Sequence, residues 1–401
     1  MFGLGRSSVA LVAVAVLLVT GYNWSTLRSL NQGIARTDVF GGTRNPAPSG
    51  TSAPVVPPLT SDVNILLVGL DSRTDPHGNP LPANELAMLH AGPNDGELNT
   101  DTMILVHIPA GGQQAVAISF PRDSWVQLAG GFGYNRLNSA FAFARNAEVS
   151  RLTAQGMTDM AQVMRQADLA GRKNLIATIE QLTGNAVTIN RYAEINLAGF
   201  YDMSNAVGGV QVCLNAATHD DYTNASFPAG VQTISGVQAL SFVRQRHGLP
   251  GGDLDRIVRQ QVFLGALAKK VLSAGTLTSP SKIAALTTAV QNSITLSAGW
   301  DITNFALQMQ GLTSGAIQFG TIPTGPNEVI GGADVLGTSQ SLITSYVNGL
   351  VNSTPPTGPP SYDGGKRVVT TTTAPPTTTT TTAPGTTSNA PITGDGIRCV
   401  N

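Results

Sequence analysis

The stretch Val63–Leu70, with the sequence VNILLVGL, is nearly all aliphatic and is followed at once by the polar residues 71–73. An apolar run of this length that ends abruptly predicts a buried strand. Residues 102–108 and 115–120 predict a second and a third strand, and the Pro and Gly residues at 109–112 predict a hairpin between them. We therefore expect these strands to form the centre of a sheet.

Helical and strand patterns alternate through the rest of this region, which predicts an α/β fold. The helix expected at 253–272 begins with acidic residues and ends with Lys269 and Lys270, as the helix dipole favours. The other expected helices are 139–144, 157–167, 172–182, 197–207, 235–243, 280–292, 302–310 and a last one near 339–350, with strands at 187–194 and 316–322.

Composition excludes several classes of protein. In 401 residues, 41% are hydrophobic and 12% charged, which excludes a collagen-like or wholly disordered chain. The net charge of −1 excludes a polycation that coats nucleic acid, so any anion site must be local. Two cysteines, Cys213 and Cys399, are too few for a four-cysteine zinc site, and their number fits either one disulfide or a reduced pair.

The N-terminus predicts export from the cytoplasm. Residues 9–19 are an unbroken apolar run, with Arg6 before it and Tyr22 and Trp24 after it. A bilayer span needs about 20 residues, so the run spans only with its flanks, and a cleaved signal peptide is the alternative. No convincing cleavage site follows, so we favour a single-pass anchor in the cytoplasmic membrane, with the remainder on the outer face.

The chain divides into five parts by composition. The spacer is rich in Gly, Pro, Ser and Thr, and the linker is dominated by Thr, Pro and Ala, which cannot form a buried core. The expected parts are a membrane anchor at 1–24, a flexible spacer at 25–61, the folded domain at 62–352, a disordered linker at 353–391 and a C-terminal coda at 392–401 that carries Cys399.

Two carboxylates stand at strand ends. Asp71 directly follows the first strand, and Asp101 directly precedes the second. If these strands are antiparallel neighbours, both carboxylates face the same space, where they suit a Mg²⁺ ion whose other ligands are water and substrate phosphate. The alternative is that both residues only cap turns. Residues 74–99 form an unusually long loop between them.

Arginines form a second group. Arg244 and Arg246 are two residues apart, and Arg256 and Gln260 lie four apart on a helix, so each pair shares a face. Guanidiniums in this arrangement suit a pyrophosphate, whereas the alternative is a solvated helix face. Three further charged residues follow the third strand and are either part of the same site or structural ion pairs: Arg122, Asp123 and Arg136.

The chain lacks the G-x-S-x-G, Walker and H-E-x-x-H motifs, so no enzyme nucleophile is evident. An acceptor hydroxyl would then attack directly, aided by positioning and charge neutralisation.

Motifs in a fixed order resemble the LytR-CpsA-Psr family, in its actinobacterial type. The resemblance covers roughly residues 62–275 and is most specific at 236–246 and 252–261. The other motifs are NILLVGLDSR at 64–73, TDTM at 100–103, FPRDS at 120–124, NSA at 138–140 and VGGV at 207–210.

The resemblance implies a central mixed β-sheet flanked by helices, in a membrane-anchored phosphotransferase. Members move a glycopolymer from a polyprenyl-pyrophosphate carrier to a peptidoglycan hydroxyl, with the lipid in an apolar tunnel; for actinobacterial members the glycopolymer is arabinogalactan. The family's metal carboxylates fall on Asp71 and Asp101, and Asp123 would orient Arg122 or act as a base. Its pyrophosphate-binding residues fall on Arg73, Arg122, Arg244, Arg246, Arg256 and Gln260.

Some features depart from the family, and other functions stay open. The 74–99 loop is longer than in the simplest members, and we expect the Thr/Pro-rich tract in the place where some relatives carry a second folded domain. In an exported protein we expect Cys399 to return and pair with Cys213. The alternatives to the ligase are a non-catalytic polyprenyl-lipid binding or scaffold protein and a pyrophosphatase that uses water as the acceptor.

Overall fold

The structure is a computed structural model that describes residues 33–41, 59–75, 78–92, 98–112, 114–271, 279–309, 317–352, 362–363, 366–367, 392–393 and 398–401.

Its helices are α1 (Ala83–Met88), α2 (Ser139–Ala154), α3 (Met160–Leu182), α4 (Leu197–Ala206), α5 (Gly236–Arg244), α6 (Asp253–Val271), α7 (Pro280–Ser293), α8 (Ile302–Gln308) and α9 (Gln340–Val351), with a 3₁₀ turn at Ala129–Gly131. Its strands are β1 (Ala35–Thr37), β2 (Val63–Leu70), β3 (Thr100–Ile108), β4 (Ala115–Ser119), β5 (Trp125–Leu128), β6 (Gly133–Arg136), β7 (Arg191–Ile195), β8 (Val210–Leu214), β9 (Thr218–Asp220), β10 (Ala225–Phe227), β11 (Gly230–Ile234), β12 (Ile294–Ser297), β13 (Ile317–Thr321), β14 (Asn327–Ile330), β15 (Ala333–Leu336), β16 (Tyr362–Asp363), β17 (Lys366–Arg367), β18 (Ile392–Thr393) and β19 (Cys399–Val400).

A mixed eight-stranded sheet forms the centre of the domain, in the order β1-β12-β7-β2-β3-β4-β13-β18. Strand β2 pairs antiparallel with β3 and parallel with β7. The end of β2 therefore lies beside the start of β3, as the sequence predicts. An irregularity in register between Gly69 and Leu70 falls at this end, next to the two aspartates.

Alternate residues of the central strands face two helical layers. Leu66 and Met103 point into a core formed with α3 and α9. Ile104 and Ala117 contribute to a second core, formed with α5 and α6. This is the period-2 alternation of a sheet covered on both faces, so the expected α/β architecture is confirmed.

The structure corrects two expected helices. Residues 157–167 and 172–182 predict separate helices, but α3 runs without a break from Met160 to Leu182. Gly171 lies inside it because α2 packs closely there, and a Cβ at this position would come within 2.9 Å of the Phe141 carbonyl oxygen. The glycine is needed for helix contact and does not end the helix.

Part of the expected spacer belongs to the fold, so that boundary is corrected. Strand β1 pairs parallel with β12 at the edge of the central sheet. Ile34 and Val39, on either side of this strand, are 5% and 6% exposed. The 25–61 segment therefore includes structured residues at 33–41, which seal one edge of the domain.

The C-terminal coda returns to the domain. Strand β19 pairs parallel with β8, and a disulfide joins Cys399 to Cys213 across that pair, which is the pairing expected from the sequence. Together with β11 these strands form a three-stranded sheet beside α6. Within the segment expected to be a disordered linker, β16 and β17 form a short antiparallel pair.

The expected membrane anchor at 1–24 lies outside the described residues, as does most of the 353–391 linker. None of the helices within the described ranges combines the length and hydropathy that a bilayer span requires.

Candidate active site

A cavity of about 550 Å³ lies between the central sheet and helices α4, α5 and α6. Its two ends differ in chemistry. Charged side chains from the β2 and β3 ends and from α5 and α6 surround one part, and aliphatic and aromatic side chains line the rest. The apolar part is lined mainly by Leu67, Phe200, Met203, Phe263, Leu264 and Leu267.

Helix α6 carries both chemistries along a single stripe. Arg256, Gln260, Phe263, Leu264 and Leu267 all line the cavity, and their spacing of three and four residues places them on one helix face. The stripe begins with a cation at the N-terminal end of the helix and becomes wholly apolar toward the C-terminal end. A ligand lying along it would be anionic at one end and hydrocarbon at the other.

The antiparallel β2–β3 pair places two acidic residues in the charged part. Asp71 follows β2, and its backbone N–H donates to the Asn99 carbonyl oxygen at 3.0 Å, which joins the two strand ends. Asp101 is the second residue of β3, since the strand begins two residues earlier than the sequence predicts. Both aspartates line the cavity.

Arg122 is held by three carboxylates. Its Nη1 lies 2.9 and 2.8 Å from the two carboxylate oxygens of Asp101, and its Nε lies 3.4 Å from Asp123 and 3.5 Å from Asp253. Burial disfavours the charged guanidinium, but the three carboxylates outweigh this and raise the pKa of Arg122. The side chain is therefore a fixed cation at the mouth of the cavity.

Three arginines are partly or fully desolvated cations: Arg244 at the end of α5, Arg246 in the loop that follows it, and Arg256 on α6. Arg256 is 3% exposed and pairs with Asp253 at 2.7 Å, and its Nε has no hydrogen-bond partner among the described residues. Burial lowers the pKa of Arg256 and of Arg244. Arg246 lines the cavity without an ion pair to any described carboxylate. Such groups gain from an anionic ligand.

Charge at the cavity is unbalanced toward the cationic side. Four guanidiniums (Arg122, Arg244, Arg246 and Arg256) face the two aspartates, since the remaining acidic residue, Glu194, is neutralised by Arg172 at 2.8 Å. Asp123 and Asp253, outside the wall, pair with Arg122 and Arg256, so the cationic surplus of the wall rests on Arg244 and Arg246, and it suits a pyrophosphate. It arises locally, in a chain whose net charge is −1.

Of the other expected site residues, Arg73, Asp123 and Arg136 lie around the cavity rather than in its wall. Arg73 pairs with Asp71 at 3.4 Å and donates to the Ala91 carbonyl oxygen, so it braces the first aspartate. Asp123 contacts Arg122 and lies 3.7 Å from Arg136, which is 43% exposed. Gln260 does line the cavity, but its amide donates to the Val243 carbonyl oxygen.

Sequence reasoning missed two polar residues of the site. Asp253 links Arg122 to Arg256, although the sequence suggested only an acidic helix start. Gln245 lies between two cavity arginines and is fully buried, where its amide donates to Thr218 and accepts from Arg259. In the sequence, only the position of Gln245 between Arg244 and Arg246 could have indicated its role.

The donor set fits Mg²⁺. Asp71 and Asp101 supply hard carboxylate oxygens to the same cavity, and Mg²⁺ usually takes one or two carboxylates with water and phosphate as further ligands. Among the described residues, no group of three or more His, Cys, Asp or Glu side chains is arranged to hold a metal ion. Both aspartates also contact guanidiniums, which a bound ion would share with them.

Comparison with known proteins places the chain. The LytR_cpsA_psr family model matches residues 46–351. Cell wall biosynthesis protein LcpA from Corynebacterium glutamicum is 41% identical over 343 residues, which cover 86% of this chain and 63% of LcpA. The polyisoprenyl-teichoic acid–peptidoglycan teichoic acid transferase TagU of Bacillus cereus is 29% identical over 58% of this chain and 59% of its own length. The chain thus spans about 60% of the length of these relatives.

The fold is also that of a solved structure. The crystal structure of B. subtilis TagV superposes with a TM-score of 0.51 and 20% identity, over 73% of this chain and 99% of TagV. At this identity the likeness establishes the α/β fold and its mixed central sheet.

Proposed function

This chain belongs to the LytR-CpsA-Psr family, and we propose that it is a phosphotransferase that moves a lipid-carried cell-wall glycopolymer to a hydroxyl of peptidoglycan. The observation that carries the proposal is the α6 stripe, which runs from Arg256 and Gln260 to Phe263 and Leu267 along one cavity. A polyprenyl pyrophosphate has the same order of chemistry, an anionic head on a hydrocarbon chain.

The pyrophosphate would lie among Arg122, Arg244, Arg246 and Arg256, with the polyprenyl chain against the apolar wall. The acceptor oxygen forms a bond to the phosphorus that carries the glycan, while the bond from that phosphorus to the bridging oxygen breaks. Polyprenyl phosphate leaves with the bridging oxygen, and the hydroxyl proton passes to solvent or a base. The guanidiniums offset the charge that develops on the phosphate oxygens.

Asp71 and Asp101 would hold Mg²⁺, which supplies further charge neutralisation at the phosphates. Asp123 contacts two arginines and lies outside the cavity wall, so its position supports a role in orienting Arg122 rather than in taking the proton. We propose arabinogalactan as the glycopolymer and the outer face of the cytoplasmic membrane as the location, on the basis of the actinobacterial resemblance and the apolar N-terminus.

The test incubates the full-length protein with a polyprenyl-pyrophosphate-linked oligosaccharide, a peptidoglycan fragment and Mg²⁺, and detects the phosphodiester product by mass spectrometry. Product should disappear with EDTA and in Asp101→Ala. The matched control is Asp168→Ala, which removes an ion pair with Arg145 that is not part of the cavity wall. Release of polyprenyl phosphate without a linked product would indicate a hydrolase, and bound but unchanged lipid would indicate a binding protein.

A further inference from the structure

An aromatic pair, Tyr222 and His247, stands at the charged part of the cavity. Tyr222 is 78% exposed, the largest fraction among the exposed large hydrophobic side chains of the described residues. Its ring lies 4.4 Å from that of His247, centroid to centroid, at an interplanar angle of 30°. Both side chains line the cavity that holds the arginines.

A buried carboxylate fixes this pair in place. Asp220, which is 3% exposed, accepts the backbone N–H of Tyr222 and the hydroxyl of Thr223, both at 2.9 Å. Its other neighbour is His247, whose Nδ1 lies 3.7 Å away. The Ser241 hydroxyl on α5 donates to the Thr223 carbonyl oxygen and so ties the β9–β10 turn to the helix. The exposed ring is therefore displayed by a rigid support.

The His247 side of the pair is equally constrained. The buried Gln245 amide donates to the main-chain oxygen of His247 at 3.0 Å. Gly248 follows with a φ of +76°, and a Cβ there would come within 2.8 Å of the His219 carbonyl oxygen. The segment 244–248 thus carries two cavity arginines and His247, which is one of the two rings of the aromatic pair.

Further polar side chains lie on the same turn as Tyr222 and on the strand before it. Asn224 and His90 contact each other at 3.1 Å, and the carbonyl oxygen of His90 accepts from Arg244. His219 contacts Asp221, the residue before Tyr222, at 2.9 Å, and both are exposed. His247 lies against one side of the Tyr222 ring, and the exposed ring with polar groups near it in the chain matches a pyranose, which has an apolar C–H face and a rim of hydroxyls.

We propose that Tyr222 and His247 form a saccharide subsite that binds the first sugar of the donor, the one joined to the pyrophosphate. The inference rests on the proposed function and concerns the part of the bound donor that would extend out of the cavity. The donor sugar is favoured over the acceptor because it is covalently joined to the pyrophosphate, and the aromatic pair shares the 244–248 segment with the arginines that would bind that group.

The test compares two soluble probes, farnesyl pyrophosphate and the same lipid carrying N-acetylglucosamine on its terminal phosphate, by calorimetric titration of the full-length protein. The wild type should bind the sugar-bearing probe more tightly. Tyr222→Ala should weaken that probe about two- to tenfold and leave farnesyl pyrophosphate unchanged, while Tyr222→Phe keeps the stacking surface. Tyr134→Ala is the matched control, since Tyr134 is 61% exposed and lies outside the cavity wall.

Equal affinity of the wild type for the two probes, or an equal loss for both in Tyr222→Ala, would overturn the subsite and leave the proposed function standing. An increase in the KM for a peptidoglycan fragment, with both probe affinities unchanged, would assign the pair to the acceptor and overturn the donor assignment. If neither probe binds the wild type, or if Arg244→Ala has no effect on binding, the proposed function fails and this inference fails with it.

Discussion

At the scale of single residues, Arg122 differs from Arg136 in its close contact with Asp101. Its Nη1 lies within 2.9 Å of both oxygens of Asp101, whereas Arg136 is 43% exposed and only 3.7 Å from its nearest carboxylate, Asp123. The residue pattern left the same alternatives open for both arginines, because each follows the third strand closely, and only the family resemblance singled out Arg122. Burial and distance distinguish them.

We therefore expect Arg122→Lys to lower kcat/KM of the transfer reaction about 10- to 100-fold, because a lysine cannot contact Asp101, Asp123 and Asp253 together. Arg136→Lys should have little effect. Steady-state kinetics with the polyprenyl-pyrophosphate donor checks both variants. Equal losses would show that Arg136 also touches the substrate.

Burial and close contacts likewise determine the charge state of Glu194, a buried acid in the cavity wall. Glu194 accepts two hydrogen bonds from Arg172, at 2.9 and 2.8 Å, and one from Tyr192 at 2.6 Å. Burial alone would raise the pKa of Glu194, but Arg172 and the hydrogen bonds hold it below its ordinary value of 4.5. A depressed carboxyl pKa contributes stability above the unfolded-state pKa, and that stability is lost as pH falls through the folded-state pKa.

Glu194→Gln should lower the free energy of unfolding by about 3–5 kcal/mol at pH 7, because it leaves Arg172 buried without a counter-ion. The difference from the wild type should shrink as pH falls below about 4.5, where the unfolded wild type takes up the proton. Urea unfolding between pH 7 and pH 3 measures this. Glu148→Gln, in an exposed pair with Arg151, is the control and should show a much smaller loss. A difference that does not change with pH would contradict the linkage.

At the scale of elements, the sequence predicted those with a strong period and missed those that depend on distant partners. Strands β2 and β4 and helix α6 follow from aliphatic runs and helical spacing and are found within one or two residues. Strands β8 and β19 have no local pattern that predicts them as strands, and only the expected disulfide between Cys213 and Cys399, 186 residues apart, indicated that these two segments meet. The charged part of the candidate site could be predicted from the sequence because its arginines and aspartates lie in short motifs. The residues of its apolar wall could be identified only from the packing of the helices.

The β8–β19 pair also supports the arginine segment. Arg259 is fully buried and donates to the main-chain oxygen of Asn401 and to the Gln245 amide oxygen, with its guanidinium 4.8 Å from the Phe242 ring. Burial lowers the pKa of Arg259 to about 10, so it is charged at neutral pH. The C-terminal residues are thereby connected through one side chain to the segment that carries Arg244 and Arg246.

Loss of the disulfide should weaken this element. Cys399→Ser should lower the free energy of unfolding by about 2–5 kcal/mol, because the unfolded chain regains the freedom of a long loop. Dithiothreitol should reproduce that loss in the wild type and have no effect on the variant, as measured by urea unfolding. A reductant effect of equal size on both proteins would mean that the bond does not contribute.

At the scale of the whole molecule, the domain is closed at both edges of its sheet by segments that composition alone assigned to spacer and coda. Strand β18 pairs with β13 at one edge, and β1 pairs with β12 at the other. Low hydrophobic periodicity hid strand β1, since it has only three residues and its two buried neighbours, Ile34 and Val39, are isolated in sequence. Ile34 and Val39 stabilise the domain through the cores that they enter. Ile34 belongs to the same core as Trp300, and Val39 belongs to the core that includes α3.

Two N-terminal truncations test how far the cooperative unit extends. A chain that begins at residue 62 loses β1, whose Thr37 carbonyl oxygen accepts from Ala298 at 2.8 Å, and also the buried Ile34 and Val39, whereas a chain that begins at residue 33 retains all three. Burying two such side chains contributes about 3–6 kcal/mol, so the shorter chain should unfold with a free energy lower by about that amount. Urea titration of both chains measures the difference. Replacing Ile34 and Val39 by Ala in the longer chain should reproduce most of the loss in unfolding free energy, because the packing of these side chains supplies the stability. Equal unfolding free energies for the two truncations would place β1 outside the cooperative fold and restore the boundary at residue 62.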